Sequence, residues 1–256
     1  MALSAALYAG LALLVVGAGS LVHPPRGLGI ATRGQALAIL AMGFLAVAAV
    51  LLVPPPAARR GAHGATGLDV FVPESQFSEF HERIVRATPD RIQAAIRSLP
   101  AEEIRLFKLL TWIRNPSRPW DGQGESILNP PSRRPILDVA LSSGFILLAD
   151  EPREIVFGAL VVRPPGARLA ALKDPTEAGR QFAALSGPGY AKAATSFRIE
   201  DGPDGSCRLT TETRIVATDP RTARRFATYW RFILPGSSLL RVTWLDAIRK
   251  RSERTP

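Results

Sequence analysis

Two uncharged apolar stretches at the N-terminus constrain this chain more than any other feature. Residues 3–22, LSAALYAGLALLVVGAGSLV, and 36–53, ALAILAMGFLAVAAVLLV, contain no charged side chain. A bilayer core of ~30 Å needs roughly 20 apolar residues in a helix, and both stretches qualify. The segment between them, HPPRGLGIATRGQ, has two prolines and three glycines. It is too short for anything but a turn, so residues 1–53 are expected to form an antiparallel transmembrane hairpin. Pro54, Pro55 and Pro56 should end the second helix, because three consecutive residues without an N–H cannot continue one. A cleaved signal peptide would need a basic n-region, and none precedes Leu3.

Charge supports the same division. Only Arg26, Arg33, Arg59 and Arg60 of the 32 Lys+Arg precede residue 67, and Asp69 is the first acidic residue. The hairpin loop and the segment after the second helix each carry two arginines, so the positive-inside count is tied. The remainder of the chain is basic and Cys207 is the only cysteine, so no intrachain disulfide can form. These features point to the cytoplasmic side of the inner (cytoplasmic) membrane for the soluble part. Cys207 itself reads as a small buried apolar residue.

Residues 54–70, PPPAARRGAHGATGLDV, have the composition of a linker. A strand is expected over 77–87. Thr88-Pro89 then opens a helix with Ile92, Ala95, Ile96 and Leu99 on one stripe. A second helix is expected over about 101–114, through Ile104, Phe107, Leu110 and Ile113. Residues 115–135 hold five prolines and read as a long loop. Strands follow at 145–151 and 154–162, and Asp174-Pro175 with Glu177 opens a short helix as a capping box would. Two more strands, 191–200 and 207–218, flank the turn sequence DGPDG. Alternation in the second puts Leu209, Thr211, Thr213, Ile215 and Ala217 on one face. Arg208, Thr210, Glu212 and Arg214 lie on the other, where Arg198 and Glu200 could complete a solvated charge ladder or anchor a ligand. Asp219-Pro220 caps an amphipathic C-terminal helix with the stripe Phe226, Tyr229, Trp230, Ile233 and Leu234. Pro235-Gly236 is expected to break it before Leu240, Trp244 and Ile248 resume the stripe. The fold class is therefore α+β.

The order strand, two helices, antiparallel strands and long C-terminal helix resembles the START-like, or SRPBCC, superfamily. Its helix-grip fold wraps an antiparallel sheet around that helix. The wording is similar to a group of uncharacterised bacterial proteins of that superfamily at Glu79-Phe-His81, Ala87-Thr-Pro89 and Pro188-Gly-Tyr-Ala-Lys192. It is similar again at Thr211-Glu-Thr-Arg214, Ala217-Thr-Asp219, Tyr229-Trp230 and Pro235-Gly-Ser237. The resemblance covers roughly residues 77–252, within a soluble domain taken as 71–256, and the group brings no assigned reaction with it. Arg163-Pro164-Pro165 departs from it, where relatives carry an aromatic residue. What it implies is a cavity between sheet and helix that takes lipids, sterols, polyketides or aromatic molecules. Phe226, Tyr229, Trp230 and Ile233 would line that cavity, with Glu212 and Arg214 as polar anchors.

The chemistry narrows further by what is missing from the sequence. His23, His63 and His81 are scattered and Cys207 has no companion, so no metal site is expected. No phosphate-cradling glycine motif lies between a strand and a helix, and no cofactor is expected. His81 and Glu79 share a strand face and could form a general base, the residue pair of a cyclase- or hydrolase-like enzyme. Arg249, Lys250 and Arg251 at the C-terminal helix end could meet anionic lipid headgroups, and no stacking motif supports nucleic-acid binding. The leading expectation is a membrane-tethered module that binds an apolar or lipid-like ligand and is not an enzyme. The alternatives are the Glu79–His81 enzyme and a structural or regulatory domain without ligand.

Overall fold

The computed structural model describes residues 1–23, 27, 29–30, 32–114, 130, 133–167 and 174–254. Most of the expected 115–135 loop, Arg26 and the capping-box segment's predecessor 168–173 lie outside those residues. The chain divides into two compact units, Met1–Pro55 with Ala227–Pro235, and Pro56–Phe226 with Gly236–Pro256.

The first unit contains α1 (Ala2–Val22) and α2 (Arg33–Leu52), each long and apolar enough to cross a bilayer. They run antiparallel and meet through glycines. A Cβ at Gly43 or Gly17 would come within 2.8 Å of the backbone nitrogen of Leu14 or Leu40, and one at Gly10 within 2.9 Å of Val47. Only residues without a side chain allow backbones this close. Thr32 and Gln35 cap α2 reciprocally: the Gln35 N–H donates to the Thr32 hydroxyl at 3.2 Å, and the Thr32 N–H donates to Gln35 Oε1 at 3.1 Å. The helix stops at Leu52, just ahead of the three prolines. Residues 227–235 of the last helix complete this unit. The Tyr8 hydroxyl donates to the Phe232 carbonyl at 2.7 Å, and Arg231 Nη2 donates to the Val53 carbonyl at 2.5 Å.

The second unit is built on a five-stranded antiparallel sheet in the order β3 (Phe77–Val85), β7 (Cys207–Ala217), β6 (Ala191–Asp201), β5 (Glu154–Val162), β4 (Ile146–Glu151). Numbering allows for a two-residue pair ahead of it, β1 (Arg59–Arg60) with β2 (Glu74–Ser75). β3 and β4 are consecutive in the large sheet yet form its opposite edges. The chain between them therefore has to cross from one edge to the other, and its described residues include three α-helices. These are α4 (Pro89–Ser98), α5 (Phe107–Arg114) and α6 (Ile136–Ser142); α3 (Leu68–Phe71) precedes β2. α7 (Pro175–Ala184) separates β5 from β6, and α8 (Pro220–Glu253) ends the chain.

The main core lies on the face carrying the odd-numbered residues of β7. Val85, Ile155, Phe157, Phe197, Ile199 and Leu209 of the sheet pack there with Ile92 and Ile96 of α4, Ile136 and Val139 of α6, and Trp244 and Ile248 of α8. A smaller core on the opposite face joins Leu68, Phe71 and Val72 to Val156, Phe182 and Ala194.

Four expectations need correction. The helix proposed over 101–114 is split: Ala101–Glu103 is a 3-10 turn, and Leu106 has φ +59° before α5 begins. α8 is not broken at Pro235-Gly236 but continues through both as one helix. A proline inside a helix removes one hydrogen bond and crowds the preceding turn, and packing on either side here outweighs that loss. The Asp174 side chain accepts from the Thr176 N–H at 2.9 Å, but Glu177 pairs with Arg180 at 2.5 Å instead of closing a box. Finally, residues 59–72 do not behave as a free linker but as a strap across the even-numbered face of β7, because they hold specific contacts described next.

Candidate functional site

β7 presents a polar cluster on each face, and each has its own construction. On the even face, Arg214 is wholly buried (0% exposed) and Glu212 nearly so (3%). Arg214 Nε donates to Glu212 Oε1 at 2.6 Å, Nη1 to Asp69 Oδ1 at 2.5 Å and to the Val72 carbonyl at 3.4 Å, and Nη2 to the Thr66 hydroxyl at 3.4 Å. Gly61 lies flat on this guanidinium, since a Cβ there would fall 1.9 Å from Nη2. The expected solvated ladder therefore exists only at the open end of the face, where Arg198 and Arg208 pair with Glu200 at 3.2 and 2.5 Å. The Arg214 end is sealed by the strap. Burial pushes the Asp69 carboxyl up, but the hydrogen bond from Arg214, that from the Thr66 N–H, and the positive field of Arg214 and Arg198 leave it below its ordinary value.

Two cavities follow the strap. One of about 220 Å³ is lined by Phe80, Arg198, Glu200, Arg208 and Glu212 under His63, whose ring stacks on Phe80 at 3.8 Å. The other, about 440 Å³ and open, runs past Gly67, Glu151, Arg153 and Glu154. Charged side chains line both; Arg198 and Arg208 pair with Glu200 in the first, and Arg153 of the second pairs with Asp201 at 2.7 Å.

On the odd face, a second cluster interrupts the apolar core. Register places Glu79 opposite Thr213 and His81 opposite Thr211, with Thr195 beside Thr213. His81 Nε2 and Glu79 Oε1 are 2.8 Å apart, so the pair expected from the sequence is assembled. The Ser237 hydroxyl of α8 donates to Glu79 Oε2 at 2.9 Å. Arg241 Nη2 donates to the Thr195 hydroxyl at 3.3 Å, and Thr195 and Thr213 are linked at 3.0 Å. Burial pushes the Glu79 carboxyl up. Hydrogen bonds from His81, Ser238 and Ser237 with the Arg241 charge outweigh it, so the folded value lies below the ordinary one. The hydroxyl of Thr211 and the indole N–H of Trp244 are buried without a hydrogen-bond partner among the described residues. Trp244 lies tilted at 5.3 Å from Phe197, the residue opposite Thr211 in register, so these atoms belong to one neighbourhood.

The other residues singled out by sequence are dispersed. Phe226 packs edge-on against Phe77 at 5.1 Å. Tyr229, Trp230 and Ile233 fall in the first unit and Phe226 in the second. Arg249 lies 3.8 Å from Glu253, and Arg251 pairs with Glu103 and donates to the Ser98 hydroxyl at 3.1 Å, which leaves Lys250 as the exposed member of that trio. Sequence reasoning missed Ser237, Ser238 and Arg241 as partners of Glu79. The signal for Ser237 was present, since Pro235-Gly-Ser237 and Glu79-Phe-His81 were both singled out, but nothing in the sequence said that they meet.

The carboxylates supply a pH prediction. Asp219 caps α8 and joins it to the Gly189 turn. The Thr222 hydroxyl donates to it at 2.6 Å and the Gly189 N–H at 2.7 Å, and together with the Thr222 and Arg221 N–H groups they pull its pKa down to about 2. A folded value below the unfolded ~3.9 means that ionised Asp219 stabilises above that pH, and the contribution is lost as pH falls towards 2. Glu79 and Asp69 act with the same sign. Asp219→Asn should therefore lower the urea midpoint at neutral pH and flatten its decline in acid. A decline as steep as the parent's would remove Asp219 from the account.

No family profile and no curated protein matches the sequence. Among solved structures, the chain is similar to a crystal structure of a hypothetical protein, jhp0584, from Helicobacter pylori. The identity is 12%, the match covers 77% of this chain and 100% of that one, and the TM-score is 0.34. A score that low leaves the fold to be described from this chain alone: an α+β protein with a five-stranded antiparallel sheet, a long C-terminal helix and two apolar N-terminal helices.

Proposed function

We propose that the chain is a membrane-tethered binding module of helix-grip type whose ligand is an apolar or lipid-like molecule with a polar end. The supporting observation is the cluster of Glu79, His81, Thr211, Ser238 and Trp244 within an otherwise apolar core. A buried hydroxyl or indole N–H without a partner costs about 1–3 kcal/mol, and the two of Thr211 and Trp244 are accounted for if a bound polar group completes them. The aliphatic and aromatic surroundings suit the rest of such a molecule. Tethering by α1 and α2 would place the module where such molecules are concentrated, and the cytoplasmic face of the inner membrane is the side proposed.

Native mass spectrometry of the full-length protein released from micelles tests this reading. A retained adduct is expected in the parent and should be absent from a Glu79→Gln/Ser237→Leu double variant. An adduct kept equally by both would come from the anchor helices, and with no adduct in the parent it would leave the ligand reading without support.

The 2.8 Å Glu79–His81 pair favours a second reading, a cyclase- or hydrolase-like enzyme in which ionised Glu79 orients His81 as a general base. If so, the co-purified molecule should be converted on incubation by the parent and not by His81→Gln.

A further inference from the structure

The middle of α8 shares its packing unit with α1 and α2 and not with the sheet. Two hydrogen bonds also join it to these helices. The Tyr8 hydroxyl reaches the Phe232 carbonyl at 2.7 Å, in the turn before Pro235 where the helix ladder is interrupted. Arg231 Nη2 reaches the carbonyl of Val53, the C-cap of α2, at 2.5 Å, beyond the helix's own hydrogen bonds.

Depth follows from helix geometry. α1 has 21 residues, and at 1.5 Å per residue it rises roughly 31 Å, close to a bilayer's ~30 Å core. Tyr8 lies six residues beyond Ala2, so it sits roughly 9 Å inside that end of the span. Phe232, hydrogen-bonded to it, shares that depth. Arg231 marks the boundary: it is buried, at 5% exposed, and its guanidinium donates to the Val53 carbonyl where α2 ends. Tyr229 and Phe232 are three residues apart on one helical face and are 36% and 37% exposed. An apolar face at ~5–10 Å depth with an arginine at the rim describes an interfacial helix.

From these contacts we infer that Ala227–Pro235 is a third membrane-contacting segment, lying in the headgroup–acyl boundary with Tyr229 and Phe232 against lipid. The occupant of that exposed face is the bilayer itself, in continuity with the lipid-facing surface of α1 and α2. This rests on α1 and α2 spanning the membrane, not on the presence of a ligand.

The test uses full-length protein in phosphatidylcholine vesicles with Cys207→Ala as background and a single environment-sensitive label on Phe232→Cys. Leu45→Cys, 65% exposed on α2, gives the lipid value, and Asp204→Cys, in the β6–β7 turn, gives the aqueous one. The Phe232 label should lose about half its emission in vesicles of lipid brominated near the headgroup, as expected for interfacial depth, and should resist aqueous iodide. Should that label disturb insertion, Tyr229→Cys carries the same expectation. Quenching by iodide as at Asp204, or shielding from both quenchers, overturns the inference. Loss of brominated-lipid quenching at Leu45 would instead refute the span on which it rests.

Discussion

Arg214→Met should destabilise the second unit by about 3–5 kcal/mol, because it removes the counter-ion of a buried carboxylate. Glu212 is 3% exposed and would be left with no cation at 2.6 Å. The strap would lose Asp69, Thr66 and Val72 as partners of the guanidinium in the same step. Urea-dependent pulse proteolysis of the full-length protein in micelles measures the change. Adding Glu212→Leu to Arg214→Met should recover much of the loss, since replacing a buried pair with apolar groups is often neutral or better. A single-variant cost below about 1 kcal/mol, the range of exposed ion pairs, would mean that water reaches this site and that the strap does not seal it.

The second large effect is expected at Trp244. Its ring packs 5.3 Å from Phe197, which in turn stacks 6.1 Å from Phe157, and Trp244 is 4% exposed. Trp244→Ala should cost about 3–5 kcal/mol through lost contacts and the void left behind. The void would also adjoin Thr211, so adduct retention in native mass spectrometry should change with stability. A cost within about 1.5 kcal/mol, as for a volume-tolerant site, would show that the aromatic stack is not a packed core.

Much of this architecture was legible in the sequence, and the misses have identifiable causes. The hairpin followed from hydropathy and prolines, and strands at 77–85, 154–162, 191–201 and 207–217 lie close to where alternation placed them. Gly10, Gly17 and Gly43 were not recognised as the contact points of the hairpin, because small residues are frequent in both helices and only their pairing identifies them. α6 was missed: seven residues after Pro135 without a side-chain cap give no periodic signal, although Ile136, Leu137, Val139 and Ala140 are all buried. Glu212 and Arg214 were expected on a solvated face because alternation assumes that a sheet buries one side. The strap that covers the other side reads, residue by residue, as low-complexity linker; its role depends on Gly61, which matters only because a distant arginine lies against it. The Glu79–His81 pair was readable, being two residues apart on one strand. Its α8 partners were not, because a proline that looks like a helix stop lies between Trp230 and Ser237.

The central claim, a lipid-like ligand completing the polar cluster on the odd face of β7, is tested most directly by photo-crosslinking. Membranes containing the full-length protein are loaded with a photoactivatable fatty acid, irradiated, and the labelled peptides mapped. Labels are predicted on β3 around Glu79 and His81, on β7 around Thr211, and on α8 between Ser237 and Trp244, in addition to those that bulk lipid leaves on the anchor helices. Labels confined to Met1–Pro55 and Ala227–Pro235, with none in the sheet, would contradict it.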